Sequence, residues 1–76
     1  MNNKRRKLLK QVLPLLKEAQ KIVENVALEE EESLSNLPES LQDSEMAETL
    51  NENISELEEI GGFIEEAICG IDSIIE

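Results

Sequence analysis

The side chains that could do chemistry in this chain are few and mostly acidic. Glu45 and Glu48, and again Glu56 and Glu59, stand three residues apart, a spacing that puts two carboxylates on adjacent turns of a helix. Oxygen ligands so placed suit magnesium, and metal-assisted hydrolysis of a nucleotide is the reaction they would serve. Any glutamate-rich helix produces the same spacing by chance, however, and Glu45, Glu56 and Glu59 fall outside the apolar stripe instead of facing a cleft. Cys69 is the only cysteine and histidine is absent. Nothing can then activate the thiol as a nucleophile, and neither a zinc ligand set nor an internal disulfide can be assembled. No catalytic residue, metal or cofactor is assigned, and nucleotide hydrolysis stays a remote alternative to a non-enzyme.

The second chemistry is anion binding. Lys4, Arg5, Arg6, Lys7 and Lys10 form a basic arm, and guanidinium groups can hold phosphate by paired hydrogen bonds. The same arm is also explained as a solvated or ion-paired helix end. All seven basic residues lie between Lys4 and Lys21, while seventeen of the eighteen acids lie from Glu24 onward, within a net charge of -11. Each helix alone would carry charges that oppose its dipole. An antiparallel hairpin relieves this by setting the basic start of one helix beside Glu65, Glu66, Asp72 and Glu76. Phe63 is the only aromatic residue, so the stacking platforms of single-strand binders are missing and nucleic acid is excluded as a partner.

The elements that position these groups are read from period. Leu8, Val12, Leu15, Ala19, Ile22 and Val26 step by four and three, flanked one residue later by Leu9, Leu13, Leu16 and Val23, which predicts a broad apolar face on a first helix over residues 4-33. A second helix over 44-75 carries Ala47, Leu50, Ile54, Leu57, Gly61, Ile64, Ile68, Ile71 and Ile75, widened by Met46, Ile60, Ala67 and Ile74. Pro14 predicts a kink in the first helix and a separately moving arm before it. Gly61 and Gly62 predict either a close helix contact or a hinge. Between the helices, 34-43 reads as a joint in which Pro38 opens a short helical turn and Asp43 or Ser44 caps the second helix. Leu34, Leu37 and Leu41 are expected to fold over the end of the pair, and Leu37, Glu39 and Leu41 are alternatively a partner-binding tip.

Seventy-six residues make one small domain, and a fold this small has difficulty burying enough apolar surface alone. With no covalent or metal staple available, the all-α hairpin is expected to form a homo-oligomer, most simply a dimeric four-helix bundle. The apolar run after the basic start is broken by Lys10, Gln11 and Lys17, which argues against a signal peptide, and no stretch reaches the roughly 20 apolar residues of a membrane span. A cytoplasmic location is expected.

The run "LEEEESLSNLPESLQDSEMAE", Leu28 to Glu48, followed by a glutamate-rich helix, resembles small helical proteins of bacterial and phage or prophage genomes that share an N-L-P-E-x-L-Q-x-S-E joint. The likeness is most specific from Asn36 to Glu45 and extends to the C-terminus. It implies a hairpin and an origin in phage-infected bacterial cells, and it implies no site residues. Two functions follow. One is a self-associating protein that binds and modulates a protein partner, such as a host defence component inhibited by phage; the other is an oligomeric sponge for an anionic nucleotide.

Overall fold

A computed structural model describes residues 1 to 76 as two long helices joined by a short turn, with no strand. Helix α1 runs Asn3–Ser35 and helix α2 runs Glu45–Ile75. They pack side by side as an antiparallel hairpin, a rod of 60 × 14 × 13 Å between Cα atoms.

Asn2 starts α1: its side-chain oxygen accepts a hydrogen bond from the Arg5 backbone N–H at 2.9 Å, which satisfies one of the donors a helix start leaves free. The helix passes through Pro14 without ending. Pro14 and Lys10 are both exposed, so water can serve the carbonyl that the proline deprives of its partner. The expected separate arm is not formed, because Leu9, Val12 and Leu13 before the proline are half-buried. At the other end the Asn36 N–H donates to the Glu32 carbonyl at 3.0 Å.

The joint runs from Asn36 to Ser44, since α1 continues through Ser35. Pro38 precedes a single 3-10 turn, Glu39–Leu41, and Ser44 caps α2 by accepting from the Ala47 N–H at 3.3 Å while its own hydroxyl donates to the Leu41 carbonyl at 2.6 Å. Gln42 supplies what the sequence did not advertise. Its side-chain amide donates to the carbonyls of Leu34, at 3.3 Å, and Leu37, at 2.8 Å, and so ties the last turn of α1 to the joint. Leu34 and Leu37 are half-buried over the end of the pair, but Leu41 remains 40% exposed and is no plug.

The seam between the helices follows two strict heptad series. On α2 it is the series Ala47 to Ile75 read from the sequence, every member of it buried or half-buried. On α1 the helix is turned one residue from the expected stripe. Leu9, Leu13, Leu16, Gln20, Val23, Ala27, Glu30 and Leu34 are buried or half-buried, whereas Leu8, Leu15, Ile22 and Val26 are exposed. Two polar links span the seam, from the Gln20 amide to Glu65 at 2.7 Å and from the Asn53 amide to Glu30 at 3.3 Å. They fix the register, so that residue i on α1 faces a residue near 84 minus i on α2. Only Ala27, Ala47 and Ile68 are buried.

Gly61 lies on this seam and Gly62 beside it, yet a Cβ added at either would meet nothing within 4 Å. Within the hairpin neither is the close helix contact that the sequence suggested. Gly61→Ala should therefore stabilise the chain by about 1 kcal/mol through helix propensity alone, seen as a rise in the urea midpoint at fixed protein concentration with an unchanged slope.

Candidate functional site

The basic arm occupies the first turns of α1, at the open end of the hairpin. Lys4, Arg5, Lys7 and Lys10 are exposed; Arg6 is half-buried, and its Nε is enclosed with no hydrogen-bond partner. None of the side-chain hydrogen bonds engages a lysine or arginine side chain. The expected pairing with Glu65 is replaced: its two carboxylate oxygens accept from Gln20 and, at 3.8 Å, from the Cys69 thiol. The arm is thus close to the C-terminal acids in sequence register without being tied to them.

The carboxylates do not converge either. Glu45, Glu48, Glu56 and Glu59 are exposed on α2, and no three acidic or cysteine side chains gather closely enough to hold a cation. The joint residues offer Glu39 and the partly exposed Leu41 at the tip, with Leu37 half-buried beneath them. Beside the seam lies a shallow groove of about 460 Å³ lined by Glu24, Ala27, Leu28, Glu31, Leu57, Glu58, Gly61 and Gly62. Three glutamates and no base surround it. An anionic ligand has no attraction to that groove.

The feature that most distinguishes the surface is apolar. Val26 and Ile60 line a second, smaller groove together with Glu30, Asn53, Glu56 and Leu57, which puts Val26 and Ile60 on one face of the rod, opposite the Leu28 and Gly62 edge. Heptad spacing carries that face along α1 through Ile22, Ala19, Leu15 and Val12 to Leu8, and along α2 through Phe63 and Ala67 to Ile74. Leu8, Leu15, Ile22, Ile60, Phe63 and Ile74 are all exposed, Leu15 by 70%. The register sets the two stretches side by side in the open half of the hairpin. Residues three and four apart on each helix make one continuous apolar surface there.

Towards the joint this face changes character. Between residues 27 and 59 the chain has twelve acidic residues and no basic one, whereas the open half holds all seven bases and six acids. The molecule is therefore a rod with a nearly neutral, apolar-faced half and a strongly anionic half. No helix is long and apolar enough to cross a membrane. Comparison with protein-family models, with curated proteins and with solved structures yields no match.

Proposed function

We propose that the chain is a non-catalytic, self-associating helical protein that binds and modulates a protein partner, acting in the bacterial cytoplasm and, in phage-infected cells, as an inhibitor of a host defence component. The observation that carries self-association is the continuous apolar face of the open half, since a surface of that extent on a monomer marks an interaction site. The anionic half supports the partner. Twelve carboxylates steer a basic protein surface towards it, and the exposed Leu28, Leu41 and Met46 supply apolar contacts among them. Glu39 and Leu41 at the tip, over Leu37, are the first residues such a partner would meet.

Capture from bacterial lysate on the immobilised chain, followed by mass spectrometry, tests this reading. A basic protein retained by the native chain and lost when Glu39 and Leu41 are replaced by serine is the expected result; equal retention by the variant would contradict it. The alternative, a sponge for an anionic nucleotide, is favoured by one observation: the basic arm has no acidic partner and the Arg6 Nε has no acceptor. Titration calorimetry with linear and cyclic nucleotides decides between them. A saturable, turnover-free heat that disappears in the Arg5→Gln, Arg6→Gln variant would replace the protein-binding reading with the sponge.

A further inference from the structure

The uncovered face has a pattern that describes its own occupant. We propose that a second copy of this chain docks on it, face to face and end to end reversed, with the two-fold axis crossing the rod at the level of Lys17 and Ala67. This rests on the self-association of the reading above and gives it a geometry.

On α1 the outer series, with Leu8, Leu15, Ile22 and Val26 exposed and Val12 and Ala19 half-buried, runs in steps of four, three, four, three and four, so it is symmetric about residue 17. Reversal about that point sets Leu8 level with Val26 of the partner subunit, Val12 with Ile22, and Leu15 with Ala19. On α2 the series Ile60, Phe63, Ala67, Gly70 and Ile74 is centred on Ala67. Ile60 then meets Ile74, and Phe63 stands nearly level with Gly70, where the missing side chain leaves room for a ring. The two midpoints come from different helices. The hairpin register nonetheless places residue 17 opposite residue 67, so one axis serves both, as an isologous interface requires.

Charge selects the reversed sense over the alternative with both joints at the same end. Copies aligned in the same direction would lay twenty-four carboxylates side by side along halves that carry no base. Reversal sends those halves towards opposite ends and overlaps mainly the nearly neutral ones. Just beyond the ends of the apolar series, Arg5 comes level with Glu29 of the partner subunit, which gives a carboxylate near the negative C-terminal end of α1 a counter-charge. The overlap of nineteen residues is about 28 Å long and two helices, or about 20 Å, wide. That is about 560 Å² per copy, enough for the roughly 1,000 Å² in total that a specific interface clears.

Two measurements on the full chain test the geometry. A single nitroxide label at Glu39→Cys, with Cys69→Ser, should give an inter-copy distance of about 60 Å by double electron-electron resonance, since each joint lies about 30 Å from the axis; a distance near 20 Å means copies aligned in the same direction and overturns the proposal. Leu15→Glu should raise the dimer dissociation constant at least about hundredfold in sedimentation experiments, while Leu28→Glu on the opposite edge leaves it unchanged. A chain that associates but tolerates Leu15→Glu refutes this face and leaves self-association standing. Failure of the native chain to retain a protein from lysate, with the dimer intact, would refute the partner reading alone.

Discussion

Ile68→Ala lowers stability by about 2 to 5 kcal/mol, the range for truncating a large aliphatic side chain in a packed site. Ile68 is 5% exposed and is the only large side chain buried in the hairpin. It faces α1 near Leu16 in the register set by Gln20 and Glu65, so the neighbouring seam has half-buried residues on one side and little with which to refill the space. For a domain of this size each kcal/mol moves the melting temperature by about 4 to 8 °C. A drop of more than about 8 °C by circular dichroism at fixed protein concentration is expected. The same truncation at Ile74, on the outer face, should change the melt only at concentrations where copies associate.

Ala47→Leu is the second large effect and acts by the opposite route. Ala47 is 1% exposed, in the first turn of α2. Its N–H is held by the Ser44 cap, and the register sets it across from the half-buried Leu34 and Leu37. Three added carbon atoms have no space between the joint and the helix start, so overpacking should cost about 1 to 3 kcal/mol. Denaturation in urea reads it as a lower midpoint. An unchanged midpoint would mean that the joint lifts away freely and that Leu34 and Leu37 do not hold the end of the pair.

These two sites were unequally legible. The α2 seam could be read residue by residue, because its heptad series is apolar from Ala47 to Ile75 apart from one glycine and has no rival of equal length. On α1 two series run one residue apart. The one beginning at Leu8 is wholly apolar as far as Val26, while the one that meets α2 includes Gln20 and Glu30. Hydrophobicity alone therefore prefers the wrong face. The polar members are explained only by their partners on the other helix, Glu65 and Asn53, which a single helix pattern cannot show. The consequence is physical: the richer series is the one the hairpin leaves uncovered.

The same limit applies at the ends. Pro38 and Ser44 declared their roles because the backbone fixes what a proline or a cap can do locally. Gln42 did not, since its two acceptors, one in the last turn of α1 and one in the joint, come within reach only when the joint closes. For the basic arm, sequence order put it beside the C-terminal acids, and the structure keeps that order without forming the pairs. Long exposed side chains gain about 0 to 1 kcal/mol from such pairs, too little for proximity in register to dictate contact. Gly61 and Gly62 are a further case. Small residues on a helix invite a close neighbour, but the facing side chains stand too far off for one.

Light scattering behind a sizing column measures self-association through the apolar face. At micromolar concentration the unlabelled native chain should elute as a species of twice 8.6 kDa, helical by circular dichroism across the peak. A folded, helical species of 8.6 kDa at that concentration would mean that the hairpin is stable alone and that its apolar face does not bind a second copy.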